Sequence, residues 1–315
     1  MVISKRQIKL LIASVIIAIL VYGGITLWVG FDVIIRTFKI IGIWGAVIVL
    51  LLSGANYGLR FSRWHFYIHQ THPHKIGLMR HFIIYLSGFA LTTTPAKAGE
   101  VIRGIFLKKY QIPFKTTLAC FLSERISDLI AVLILCLIGY GYNTSYFYIM
   151  VIGCIMVLAC VATIQSPHYL IVLRDRFSPT FMMHKALDYI HSILLETKIY
   201  HAPKIFIHSL ILSIISWYAE AYGLYYVLML LGHDISHFQA IFIYGISMLI
   251  GAISFVPAGI GSSEAVMIAL LVSIGVPIAI ATAITLFVRM ATLWFAVVIG
   301  LICLGVQVRF NGKHH

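Results

Sequence analysis

Negative charge is what this chain has least of: 10 Asp and Glu residues stand against 23 Lys and Arg in 315. Charge of both signs makes up only 10% of the residues, and 61% are hydrophobic. A soluble domain carries about 25% charge, so a soluble fold is excluded, and a dense acidic metal cluster with it. No G-x-x-x-x-G-K-[ST] loop occurs, which excludes nucleotide hydrolysis at a P-loop. No serine–histidine arrangement for nucleophilic catalysis can be assembled. The five cysteines, Cys120, Cys136, Cys154, Cys160 and Cys303, all fall in apolar runs. Their spacing fits neither a disulfide framework nor a metal site. The expectation is a protein that is not an enzyme and holds no metal and no cofactor.

What is present is a series of apolar runs, at 9–29, 40–59, 116–140, 145–164, 205–231, 238–256 and 277–306. About 20 helical residues cross a hydrocarbon core. The reading is an all-α, polytopic membrane protein with one integral domain over 1–315. The basic N-terminus precedes an apolar run without an A-x-A-like cleavage site, so 9–29 is expected to stay as a first span.

Positive charge gathers at Lys5, Arg6 and Lys9, at Arg60, Arg63, Lys75 and Arg80, and at Lys108, Lys109 and Lys115. Further groups are Arg174, Arg176, Lys185, Lys198 and Lys204, then Arg309 and Lys313. Juxtamembrane clusters mark the cytoplasmic side and suit an anionic leaflet. The net charge of +13 therefore points to lipid and away from nucleic acid. Segments 141–145, 232–237 and 273–277 carry no Lys or Arg and read as external. Both termini then lie in the cytoplasm of a multi-pass cell-membrane protein. Met183, Ala186, Leu187, Ile190, Ile193 and Leu194 share one face of 181–199, as in an amphipathic helix on the cytoplasmic surface. Histidines 65, 69, 72, 74 and 81 read as a solvated cytoplasmic cluster.

Two stretches break the apolar pattern. Residues 92–104 read TTTPAKAGEVIRG and residues 254–265 read SFVPAGIGSSEA. Pro95 and Gly99 interrupt the first; Pro257, Gly259 and Gly261 interrupt the second. The charge alternation holds if 81–109 and 238–274 each enter, break and return. Full crossing by both arms of each hairpin gives the same sidedness.

A shift of 164 residues superimposes Glu100 on Glu264, Pro113 on Pro277 and Arg125 on Arg289, and Asn56 meets Glu220. Such residues are scarce here, so the matches indicate a repeat of span, broken hairpin and span, about 41–140 and about 205–306. The two units begin on opposite sides and are therefore inverted. Inverted repeats with broken helices meeting near the midplane are the architecture of secondary transporters. Irregular backbone at depth is tolerated only where protein or a wet cavity covers it.

Arg125 lies about 15 Å along a helix from Lys115, and Arg289 about 18 Å from Pro277. Both fall near the middle of a core about 30 Å thick. A lone arginine there costs roughly 2.5–3.5 kcal/mol, so each needs a carboxylate, a wet cavity or an anionic ligand. Glu100, Glu124, Asp128, Glu220 and Glu264 are the candidate partners. In one reading these are structural ion pairs, with Glu100 and Glu264 offsetting half-helix dipoles. In the other, Lys97, Arg103, Arg125, Arg289 and the half-helix N-termini face a cavity and hold an anionic headgroup. Glu100, Asp128, Glu220 and Glu264 then gate, pair with the empty site or carry a coupling proton. Lys97 has the further option of snorkelling to the surface.

The blocks TPAKAGEVIRGIFLKKY with SERISDL, and PAGIGSSEAVMIALLVSIGVP with LFVRMATLW, resemble the flippase-like integral membrane family. That family includes the transmembrane domain of lysylphosphatidylglycerol synthases. Its Pro-x-x-x-Gly-Glu-x-x-Arg pattern is matched by Pro95, Gly99, Glu100 and Arg103. Its Pro-x-Gly-x-Gly-x-x-Glu pattern is matched by Pro257, Gly259, Gly261 and Glu264, and its downstream arginines by Arg125 and Arg289. The resemblance implies an inverted-repeat fold and movement of polar-headgroup lipids between leaflets. The chain is expected to lack a soluble aminoacyl-transferase domain, so lysylphosphatidylglycerol need not be its cargo. Phospholipid, polyprenyl-phosphate and glycolipid cargoes remain open.

The leading reading is a lipid flippase that works without ATP hydrolysis, downhill or coupled to a proton or ion. The alternatives are a membrane-embedded transferase, or a non-catalytic partner of a lipid- or glycan-synthesis enzyme. Membrane lipids are the expected partners, with a homo-oligomer as a further option.

Overall fold

Apolar runs in a lipid-facing chain satisfy their backbone internally as helices. The computed structural model describes residues 20, 22–24, 26–27, 30–73, 76–139, 146–176, 182–254 and 256–312. Most of the expected first span, the 141–145 loop, Lys75 and Lys313 lie outside them. There is no strand among the described residues.

The elements are α1 (Phe31–Thr71), α2 (Leu78–Ser87) with a 3-10 turn (Gly88–Leu91), and a 3-10 helix (Pro95–Ile102) leading into α3 (Arg103–Leu107). Then come α4 (Phe114–Gly139), α5 (Phe147–Gln165), α6 (Tyr169–Arg174), α7 (Met182–Tyr200) and α8 (Pro203–Leu230). The last are α9 (His237–Ile253), a 3-10 turn (Pro257–Gly259), α10 (Ser262–Ser273), α11 (Ile278–Arg289), a π-helical turn (Met290–Trp294) and α12 (Phe295–Gly312).

Among the described residues, four helical segments are long and apolar enough to cross a membrane: Phe31–Thr71, Phe147–Gln165, Pro203–Leu230 and Ile278–Arg309. Their outer faces carry exposed apolar side chains, among them Ile43, Trp44, Ile155, Leu158, Ile211 and Ile302. This is the surface of a polytopic membrane protein. The apolar helices on either side of the second break, His237–Ile253 and Pro257–Ser273, are shorter than a full crossing needs.

Local sequence sets the ends. Ser236 and Gln239 form a reciprocal capping box at the start of α9. Pro203 opens α8 at a position where its missing N–H is not required. Gly42 turns α1 through a left-handed φ of 64°. The amphipathic helix expected over 181–199 is α7, packed on α4.

One expectation is corrected by α1. Arg60 and Arg63 read as loop charges, but α1 runs through them to Thr71 and buries both side chains. Tyr57, Phe61, Trp64, Tyr67 and Ile68 continue its apolar face past the expected end of the span. Arg36 and Lys39 also lie within α1, near its start. His81 is buried on α2 and not solvated: Trp64 Nε1 donates to its Nε2 at 3.0 Å.

Four contacts organise the core. α1 packs along α8, α9 along α4, and α2 with its 3-10 turn against α12. The two irregular segments, Pro95–Ile102 and Pro257–Gly259, touch each other. Gly300 of α12 lies directly against the backbone of Phe89 and Ala90, leaving no room for a Cβ. Gly300→Ala is expected to push the first hairpin off α12 and destabilise the protein by about 1–3 kcal/mol. A thermal melt in detergent checks this, and an unchanged Tm contradicts the packing.

Candidate functional site

The first irregular segment is built around Arg103. Its guanidinium is fully buried between the rings of Trp64 (4.2 Å to the centroid) and Tyr85 (4.5 Å). It reaches the Glu100 carboxylate at 3.0 Å, the Glu100 carbonyl at 3.0 Å and the Glu124 carboxylate at 3.2 Å. Thr92 Oγ1 donates to the other Glu100 oxygen at 2.8 Å, and Tyr85 donates to Glu124 at 3.2 Å. Glu100 thus closes the break in the chain as an internal counter-ion. It sits within the 3-10 helix, so the expected role of offsetting a half-helix dipole is not the one it fills. Gly99 donates its N–H to Thr94 Oγ1 at 2.7 Å and lies so close to Leu91 that any side chain would collide.

Asp128 on α4 is the second hub. Arg63 reaches it at 2.7 Å, Arg125 at 3.2 Å and Arg60 at 3.7 Å. Arg63 also donates to Ser213 of α8 and approaches Glu124 at 3.5 Å. Around the first break, four guanidiniums (Arg60, Arg63, Arg103, Arg125) therefore meet three carboxylates (Glu100, Glu124, Asp128). Positive charge is in excess before Lys97 is added.

The second segment has a single pair. Arg289 Nε donates to Glu264 at 2.5 Å, and its Nη2 donates to the Ala258 carbonyl at 2.9 Å. One guanidinium thus ties the break to the first turn of α10. Glu264 also accepts from the Gly261 N–H at 2.6 Å and from the Tyr22 hydroxyl at 2.8 Å. Gly261 adopts φ +90°, a left-handed conformation that glycine enters without strain. The α10 N-terminus is thereby occupied by the chain's own carboxylate. Tyr22, inside the expected first span, is brought to the second break.

Between the two breaks lies a cavity of about 270 Å³. Lys97, Arg125, Asp128 and Arg289 supply its polar wall; Trp217, Met248, Leu249 and Leu293 are among its apolar lining. Lys97 takes a left-handed φ of 55° and Ala258 one of 53°. Non-glycine residues seldom adopt this conformation, and strain of this kind collects at functional sites. Lys97 Nζ lies 5.9 Å from the Trp217 ring centroid, in cation–π range. It therefore turns to the cavity and does not snorkel outward. Arg125 Nε and Trp217 Nε1 donate to no described partner.

The structure brings Lys97, Arg125, Asp128 and Arg289 to one cavity, with Gly259 of the second break on its lining; Pro257 and Gly261 are not part of that lining. Glu100 and Arg103 lie behind it as mutual partners. Pro95 opens the 3-10 helix. Glu220 stands on α8, accepting from the Tyr244 hydroxyl of α9. Sequence reasoning missed Arg60 and Arg63 in the network, together with Trp64, Tyr85 and Tyr244. The aromatic periodicity of 57–68 was the available signal for the first two. The described residues hold no group of three His, Cys, Asp or Glu side chains able to bind a metal ion.

Comparison with known proteins adds a family. The profile of the lysylphosphatidylglycerol synthase TM region matches residues 8–300. A UPF0104 membrane protein of Methanothermobacter thermautotrophicus is 28% identical, over 91% of this chain and 90% of the relative. One from Pyrococcus horikoshii is 25% identical over 73% and 76%, and one from Methanocaldococcus jannaschii 24% over 96% and 95%.

Removing one partner of a buried pair leaves an uncompensated charge and costs about 3–5 kcal/mol. Arg103→Ala is expected to fall in that range, since Glu100 and Glu124 both lose their nearest guanidinium. Arg125→Ala, at the cavity wall, is expected to cost less. Chemical or thermal unfolding in detergent compares the two, and equal losses would contradict the distinction between clamp and cavity wall.

Proposed function

The chain belongs to the lysylphosphatidylglycerol synthase TM family, and from that premise we propose that it carries anionic-headgroup lipids between leaflets without hydrolysing ATP. One observation carries this reading: a cavity between two broken helices whose lining holds three cations, Lys97, Arg125 and Arg289, against one carboxylate, Asp128. In a low-dielectric interior, uncompensated positive charge is costly. An anionic phosphate headgroup supplies the missing counter-charge, and Arg125 offers it the Nε donor. The acyl tails stay in lipid while the headgroup crosses through the cavity.

The packing supports an inverted repeat. Leading helices α1 and α8 pair, each hairpin packs on the closing helix of the other half, and the two breaks meet. In this reading 81–109 and 238–274 are re-entrant, both termini face the cytoplasm, and the protein sits in the cell membrane. It acts as a carrier and not as an enzyme. Loss of Arg60 and Arg63 from the cytoplasmic count leaves the other basic clusters to set the orientation.

The test is leaflet exchange in proteoliposomes, with acyl-labelled phosphatidylglycerol and phosphatidylcholine. Wild type is expected to exchange the anionic lipid in preference. A hydrogen bond to a charged group contributes about 1.5–3 kcal/mol, so Lys97→Gln and Arg125→Gln should each slow phosphatidylglycerol about tenfold or more. Exchange of neither lipid by folded wild type would favour the transferase or partner readings.

A further inference from the structure

Glu220 stands apart from the other deeply buried acids. Glu100, Glu124, Asp128 and Glu264 each have an arginine nitrogen between 2.5 and 3.2 Å away. Glu220 is buried in the α8 wall, and among the described residues its one hydrogen bond comes from the Tyr244 phenol. No described ion pair includes it. Three cations act on it through space: Arg60 from α1, Lys97 from the first break and Arg289 from α11. Tyr57 of α1 and Tyr244 of α9 complete the titratable groups around it. α4 contributes Arg125 and Asp128 to the cavity beside it. Trp217, one turn earlier on α8, lines that cavity.

Two of those three cations, Lys97 and Arg289, wall the cavity in which the headgroup is placed. An anion there and a charge on Glu220 therefore compete for the same positive field. An ionised carboxylate without a close cation survives burial only while that field is uncompensated. We propose that Glu220 is a proton-binding site linked to occupancy of the cavity, so that one proton travels with each anionic headgroup. This inference rests on the transport reading above.

When the headgroup enters, a proton from water bonds to a Glu220 carboxylate oxygen and the carboxyl becomes neutral. When the headgroup leaves, that O–H bond breaks and the proton returns to water on the side of release. The repeat explains why there is one proton and not two. At the shift of 164 the other half carries Asn56, an amide that donates to the Ser216 carbonyl at 2.8 Å and cannot ionise.

Linkage is reciprocal: if the anion favours the proton, the proton favours the anion. One linked proton gives a limiting slope of about tenfold in affinity per pH unit. The experiment measures dihexanoylphosphatidylglycerol binding to the full chain in phosphatidylcholine nanodiscs across neutral pH. Infrared difference spectra follow the carboxyl band. Wild type is expected to bind more tightly as pH falls, and binding is expected to raise a protonated-carboxyl band. Glu220→Gln should lose both the slope and the band. Should Glu220→Gln fail to fold, Tyr244→Phe removes the carboxylate's donor and should move the midpoint of the slope.

A pH-independent affinity in wild type, or a slope that persists in Glu220→Gln or is unmoved in Tyr244→Phe, overturns the proposal. Leaflet exchange separates this inference from the one beneath it. Exchange with pH-independent binding overturns the proton site alone. Linked binding without exchange supports the proton site and overturns the transport reading.

Discussion

A buried arginine in a membrane-embedded protein must find a counter-charge, because hydrocarbon cannot supply one. Arg103 is the clearest case. Its guanidinium is held face-on by Trp64 and Tyr85 and edge-on by Glu100 and Glu124. Those four partners come from α1, α2, the first break and α4. The shape of the first hairpin therefore depends on contacts from all of these elements. This network covers its irregular backbone, as an apolar environment requires.

The two halves solve the same problem with different amounts of charge. In the second half, Arg289 binds Glu264 directly and pins the break to the start of α10. In the first half, Arg103 takes over Glu100, and the position equivalent to Arg103 in the second half is Met267. Arg125, the counterpart of Arg289, is left at 3.8 Å from Glu100 and turned to the cavity. Arg60 and Arg63 correspond to Leu224 and Val227. Charge is concentrated around the first break. The asymmetry supplies both a rigid clamp and a less satisfied cation at the cavity.

Much of this was legible because charge is rare in the chain. In a sequence so apolar, a glutamate, proline and arginine recurring at one spacing stand out, and they led to the two breaks and to Arg125 and Arg289. Rarity also misled. Arg60 and Arg63 looked like loop residues because a hydropathy run ends where charge begins. The helix continues there because Asp128, Glu124 and Ser213 wait on its other face, and those residues lie 61 to 150 positions away. His81 was misplaced for the same reason: its partner Trp64 belongs to another helix.

The sequence by itself determined that the protein is helical and membrane-embedded, where its helices break, and which few residues carry charge into the apolar region. These follow from local composition, from helix length against bilayer thickness, and from the backbone preferences of proline and glycine. The tertiary structure alone decided which charges cancel and which do not. Arg103 is silenced by two carboxylates, Arg125 is left at the cavity, and Glu220 has no ion pair among the described residues. The physical reason is that Coulomb interactions in a low-dielectric interior depend on distances of a few ångströms, and only folding sets those distances between residues far apart in the chain.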